Sequence, residues 1–467
     1  MARARVEVGV IVAVAALVAA GAAGTTRSAS GSPSGAATLR ASAADAARRA
    51  GPGVDRMAFQ AGVEAYVWGF PLVTMSRTRG QVLCGIPVNT LINVPRLLDA
   101  GSRVVVTPNA DTLYSSAFLD LRPGPMVLRV PAVRDRYYVF QFLDMYTNTI
   151  ADVGTRTNGG RAGAYAIVGP GWHGRLPTGT GRITAPTPDV WVIGRTLAAL
   201  SRDVAGAAAE QRRYRLQPLS SLTPRAGASA PACSPPSAPR PSFTGELATA
   251  IGADPPPPRD RPIVADLAAA GIRPGLVPNA AALATTEASR AAALEIIRRV
   301  GSRLTTARNG WTRLHGTGSY GTDYITRAVV AMVGLGANVP DESVYYFAAT
   351  DEGGAPLSGA ASYVIHFRPG QLPPIDPRAF WSISLYGPDH FFVANPVDRY
   401  AVGDRTEGLT RGHDGSLDVF VSHSPPPGHE GNWLPAPAGS FNLVLRAYLP
   451  GPGIRSGSWT PPAVRPG

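Results

Sequence analysis

Lysine is missing from this chain of 467 residues: all 44 of its basic residues are arginine. Schiff-base chemistry, a phosphate-binding P-loop lysine and a Ser-x-x-Lys nucleophile are therefore excluded. Cysteine is scarce as well. Cys84 and Cys233 are too few for a disulfide framework, and in an oxidising compartment they either make one bridge or stay as two unpaired thiols. Neither a G-x-S-x-G elbow nor an H-E-x-x-H motif occurs, so the commonest serine-hydrolase and zinc-protease arrangements lose their support. The apolar run Val8–Ala20 is shorter than the roughly 18 residues of a spanning helix. The formal charge of +12 comes from arginines scattered among Asp, Pro and Gly. With no basic tract interleaved with aromatics, nucleic acid is excluded as the expected partner.

Proline and glycine are abundant, at 45 and 52 residues, and 45% of the chain is hydrophobic. That composition fits a loop-rich, strand-rich globular protein better than a helical bundle. Arg3 and Arg5, the apolar run and the small residues Ala20–Ala23 read as a secretory signal over 1–23. The expected location is therefore secreted or cell envelope, with no transmembrane span in the mature protein. Residues 24–53, rich in Ala, Ser and Gly, read as a flexible tether. Apolar spacing predicts a helix in Asp55–Ser76 that stops at Gly69-Phe70-Pro71. Strands are predicted at Arg103–Val106, Leu113–Leu121, Met126–Val130, Tyr137–Leu143, Ala164–Val168 and Val190–Thr196. A Pro/Ser-rich linker (216–262) and a helical connector (263–340, helix at Ala281–Leu304) follow. The second strand series is Val344–Ala349, Tyr363–Phe367, Phe380–Leu385, Leu417–Ser422 and Asn442–Tyr448. The expected fold is mainly β with accessory helices (α+β). Two jelly-roll-like antiparallel β-sandwiches occupy 54–215 and 341–450, and a tail occupies 451–467. No internal repeat is strict enough to name.

Two segments place polar and aromatic side chains among short apolar strands. In the first, Asn109, Asp111 and Tyr114 precede or open a strand, where they either reach a cavity at the sheet's end or close an Asx-turn. The next strand supplies Tyr138 and Gln141 and ends at Asp144, a candidate general acid held against Phe142 and Met145. Arg156 is an available partner for that carboxylate. In the second segment, Trp381, Tyr386, Asn395, Arg399, Tyr400, Asp404, Arg405 and Trp433 mix flat rings with hydrogen-bonding groups. That mixture suits a sugar ring or a flat organic ligand, and equally suits plugging the ends of a sandwich. Gly316-Thr317-Gly318-Ser319-Tyr320-Gly321 matches the dinucleotide glycine pattern but lacks the strand before and helix after within a βαβ unit, so it reads as a turn. His413, His423 and His429 lie near Asp and Glu residues without a tight ligand spacing.

EAYVWGFPLV, PNADTLYSS, RYYVFQFLDMYTN, GTRT and IVGPGW, followed by FWSISLYG, NPVDRYAVGDRT, NWLPAPAG and LRAYLP, resemble a known pair of families. These are domain-of-unknown-function families 1254 and 1214 of exported bacterial proteins. The resemblance spans about Phe59 to Pro450 and implies jelly-roll β-sandwiches with accessory helices. None of His173, His366, His390, His413, His423 and His429 falls on its motifs. Together these readings expect a protein that binds, and as a cofactor-free hydrolase or lyase would process, a small organic or carbohydrate-like ligand. Asp144 or Asp111 would carry the proton, Tyr114 would donate a hydrogen bond and Arg156 or Arg399 would clamp an anion. The rival expectation is a non-catalytic envelope or secreted interaction protein.

Overall fold

A computed structural model describes residues 35–103, 107–198, 201–220, 242–303 and 305–467. The expected signal (1–23), residues 104–106 of one expected strand and Cys233 lie outside the described residues. Cys84 is disulfide-bonded.

The first half is a β-sandwich. Its larger sheet runs Ile92–Asn93, Thr112–Asp120, Asp189–Leu197, Tyr138–Asp144, Thr149–Gly154, with all pairings antiparallel. Its smaller sheet runs Thr180–Thr184, Gly163–Val168, Met126–Val130, Arg215–Pro218. Alternate residues of both sheets, among them Leu119, Met126, Leu128, Tyr138, Phe140, Phe142, Ile167 and Val192, interdigitate between them. The second half repeats the architecture. One sheet runs Thr305–Arg308, Trp311–Leu314, Ser343–Ala348, Asn442–Tyr448, Trp381–Tyr386, Ala401–Gly403. The other runs Trp433–Pro435, Leu417–Ser422, Tyr363–Phe367, Val464–Pro466.

The two halves share one topology strand for strand. The series from Thr112–Asp120 to Arg215–Pro218 takes the same places, in the same order, as the series from Ser343–Ala348 to Val464–Pro466. Even the one parallel pairing recurs, Gly163–Val168 with Thr180–Thr184 and Leu417–Ser422 with Trp433–Pro435. A short sequence trace accompanies it. Val153-Gly154-Thr155-Arg156-Thr157-Asn158-Gly159 answers Val402-Gly403-Asp404-Arg405-Thr406-Glu407-Gly408. In both copies the first glycine is required by space: a Cβ on Gly154 would lie 2.2 Å from the Tyr138 carbonyl, and one on Gly403 2.1 Å from that of Trp381. In both, the threonine hydroxyl accepts from that glycine's N–H, at 3.0 and 2.8 Å. The repeat was not visible in the strands themselves because their apolar residues vary freely at constant pattern.

Helices Gly35–Arg49, Arg56–Val82, Phe243–Ala253, Ala280–Arg303 and Tyr324–Val333 pack together over part of the outer face of the first large sheet, against Phe118, Leu143, Trp191 and Ile193. Strands Tyr138–Asp144 and Asp189–Leu197 are thus buried on both faces. Of the described residues 30% are in helix, 3-10 turns included, and 26% in strand, so the protein is α+β with two β units.

Four expectations change. The tether is helical over Gly35–Arg49, with Leu39 and Ala43 buried. The helix Arg56–Val82 runs through Pro71 instead of stopping there, because Trp68, Leu72 and Met75 are buried on both sides of it. The linker contains Phe243–Ala253, N-capped by the Ser242 hydroxyl and burying Leu247 and Ile251. The connector and tail each contribute sheet: Thr305–Arg308 and Trp311–Leu314 extend the second large sheet, and Val464–Pro466 pairs with Tyr363–Phe367. Among the described residues no helix is long and apolar enough to cross a membrane.

Candidate functional site

The two large sheets meet through their outer faces, where Tyr137, Val139 and Leu197 of one pack against Phe380 and Tyr448 of the other. Hydrogen bonds to two equivalent carboxylates cross this seam. Asp111, three residues before Tyr114, accepts from the Ser382 hydroxyl at 2.6 Å. Glu342, three residues before Tyr345, accepts from the Tyr137 hydroxyl at 2.7 Å. Each carboxylate leaves its own sandwich to hold the other.

The repeated arginine differs between the copies. Arg156 is closed into ion pairs, Nε on Glu342 at 2.6 Å and Nη2 on Asp152 at 2.8 Å. Its counterpart Arg405 makes no ion pair among the described residues. Its Nη2 donates to the Ala379 carbonyl at 2.6 Å, and its buried Nε has no partner among the described residues. There the seam opens into a groove of about 520 Å³ lined by Asp111, Asp404, Arg405, Arg399, Tyr400, Phe380, Leu97 and Leu98, with Trp381 also in its wall. Burial pushes the Asp404 carboxyl up to about 6, with Asp111 nearby adding to the rise and Arg405 opposing it. Burial raises Asp111 too, against the Ser382 hydrogen bond and the fields of Arg446 and Arg405. The groove therefore holds one carboxyl raised to about 6 and a second raised by burial, beside a guanidinium whose Nε is unpaired among the described residues.

The expected site residues divide by place. Asp111, Arg399, Tyr400 and Trp381 come together at the groove, although the Trp381 ring is 3% exposed and packs on Phe367 inside the sandwich. Arg399 donates to the carbonyls of Glu430 and Trp433, and so braces that wall. Asn109 and Tyr114 line a second, smaller cavity in the same seam. Gln141 and Tyr386 stand behind that cavity, Gln141 accepting from Arg195 and the Tyr386 ring lying under Arg446. Asn109 also closes the expected Asx-turn, accepting from the Asp111 N–H at 2.6 Å.

The remainder sit elsewhere. Asp144 does not meet Arg156. Its carboxylate, raised by burial, accepts from the N–H and side-chain amide of Asn148 and closes the turn after its strand. Tyr138 is in the sandwich core with its hydroxyl on Asn158, and Trp433, 5% exposed, donates to the Ser422 carbonyl. Neither ring is free to stack on a ligand. His423 bonds the Ala436 carbonyl and His429 packs on Phe420, and the described residues contain no group of His, Cys, Asp or Glu placed to hold a metal.

Sequence reasoning passed over Arg195, Glu342, Asn338, Tyr345, Arg446 and Tyr448. An arginine at the middle of a wholly apolar strand, as in Val192-Ile193-Gly194-Arg195-Thr196-Leu197 and Leu443-Val444-Leu445-Arg446-Ala447-Tyr448, was the available signal.

Residues 88–218 match the family described as protein of unknown function (DUF1254), and residues 342–452 match the one described as protein of unknown function (DUF1214). Each match covers one copy of the repeated sandwich. No curated protein matches the chain. Among solved structures, the VPA0106 protein from Vibrio parahaemolyticus is 21% identical. It aligns over 88% of this chain and 100% of its own with a TM-score of 0.70, a likeness of fold alone. A putative uncharacterized protein from Burkholderia cenocepacia aligns over 92% of this chain and 94% of its own, at 12% identity and a TM-score of 0.42. With both models matched in order, the chain belongs to the proteins in which a DUF1254 domain precedes a DUF1214 domain.

Proposed function

We propose that this protein binds a small organic or carbohydrate-like ligand in the groove around Asp111, Asp404 and Arg405, and acts on it by carboxylate acid/base chemistry without a cofactor. One observation carries the reading: the motif that ion pairs close at Arg156 is left open at Arg405, beside the half-buried Asp111 and Asp404. The groove's volume lies within the range of about 300–1,000 Å³ usual for small-molecule sites. In this reading Arg405 clamps an anionic or strongly polar group of the ligand. Asp404, partly protonated near neutrality, gives or takes the proton, and Asp111 tunes it as a neighbouring charge. Hydrolysis and elimination both suit such a pair, and export to the envelope or medium remains part of the proposal.

The rival, a non-catalytic interaction protein whose polar clusters only join its sandwiches, draws on the seam itself. Asn109, Ser382, Tyr137 and Tyr386 each hydrogen-bond across it. Thermal-shift screening of the purified chain against neutral sugars and small organic acids separates the two. Saturable stabilisation that Arg405→Gln and Asp404→Asn each weaken at least tenfold supports the groove. Stabilisation indifferent to both substitutions, or none with any compound, favours the rival.

A further inference from the structure

The second cavity is distinct from the groove. Arg195 and Arg446 each sit in the central strand of a large sheet, 7% and 3% exposed. Neither forms an ion pair among the described residues, and every acceptor they meet is neutral. Arg195 donates to Gln141 Oε1 (3.0 Å), Asn338 Oδ1 (3.1 Å) and the Gly336 carbonyl (3.0 Å). Arg446 donates to Ser384 Oγ (3.1 Å) and the Thr107 carbonyl (2.7 Å). The fields of these arginines reach Asp152 and Asp111, but those carboxylates bond Arg156 and Ser382 instead. Two guanidinium groups thus stand in a low-dielectric seam without a counter-charge in contact, an arrangement that strongly favours an added anion.

The duplication shows that this is built rather than incidental. Tyr114 lies opposite Arg195 in the strand ladder, and Tyr345 lies opposite Arg446 in the same register. Gln141 and Ser384 occupy the same place on the third strand of each sheet. Both arginines and the tyrosines Tyr114, Tyr345 and Tyr448 line one cavity of about 80 Å³ whose other walls are largely apolar.

We infer that this cavity is a binding site for a small oxyanion, a carboxylate-bearing acid or an inorganic tetrahedral oxyanion, held between Arg195 and Arg446 with tyrosine hydroxyls completing its shell. Guanidinium forks match both kinds of oxyanion, and the apolar walls strengthen the attraction.

The test is calorimetric titration of the full chain, dialysed into a chloride buffer, with phosphate, sulfate, oxalate and succinate at constant ionic strength. One anion per chain is expected to bind and raise the thermal midpoint, with phosphate and sulfate ahead if the site takes inorganic oxyanions and oxalate or succinate ahead if it takes organic acids. Arg195→Gln and Arg446→Gln should each remove binding. Asn338→Asp keeps the side chain's shape, lets the Tyr345 hydroxyl donate where it now accepts, and puts a carboxylate on Arg195. It tests the idea even if the arginine variants do not fold, and should weaken binding at least tenfold. Failure of all four anions to bind the unaltered chain at millimolar concentration overturns the inference. So does binding that Asn338→Asp leaves intact, or that is lost on Arg405→Gln alone, which would belong to the groove.

Discussion

Asp404 carries the most direct residue-scale consequence. Its folded-state value of about 6 lies above the ordinary 3.8, so between those values the folded chain holds a proton that the unfolded chain has lost. Stability therefore falls on this group's account as pH rises from about 4 to about 6, and the cost persists above that. Asp404→Asn should raise stability at pH 7.5 by on the order of 1 kcal/mol, an advantage that fades toward pH 4 in denaturant titrations. A constant advantage at every pH would show that the carboxyl is not raised. Asp144→Asn should behave differently. Disturbing the bonds to Asn148 should cost about 1–3 kcal/mol in urea unfolding while leaving ligand affinity of the folded fraction unchanged. Asn109, Asp111 and Tyr114 were legible because short polar residues before an apolar strand stand out. Arg195 and Arg446 were not, since a single arginine in a strand ordinarily marks the solvent face, and only the meeting of two sheets buries it.

Among the elements, strands such as Met126–Val130, Tyr363–Phe367, Leu417–Ser422 and Asn442–Tyr448 were readable to the residue because β-branched and aromatic residues crowd them. Thr149–Gly154, Thr180–Thr184 and Ala401–Gly403 were missed. They are short, and two of them lie at sheet edges next to the repeated Gly-x-Arg-Thr turn, where pairing rather than composition makes the strand. Helix Phe243–Ala253 was hidden by the prolines on either side of it. Since it buries Leu247 and Ile251 and ties Arg77 to Glu246, limited proteolysis should spare this helix. Early cleavage inside Phe243–Ala253, mapped by mass spectrometry, would contradict that packing.

For the whole molecule, the duplication turns two β-sandwiches into a paired frame whose seam holds a groove beside one copy of a repeated motif and a second, smaller cavity. Circular dichroism should return helix and strand in comparable shares, and a spectrum dominated by either would contradict the arrangement. The pairing also sets how substitutions combine. Glu342→Gln leaves Arg156 with Asp152 alone and loosens the closed side, so it should lower the thermal midpoint more than Arg405→Gln does on the open side. The central claim is that the open side is where a ligand binds, and its most direct test is crystallographic soaking of a fragment library rich in small organic acids and sugars. The expected result is density gathered in the groove against Asp404 and Arg405. Fragments bound reproducibly elsewhere on the chain, with that groove empty in every soak, would contradict it.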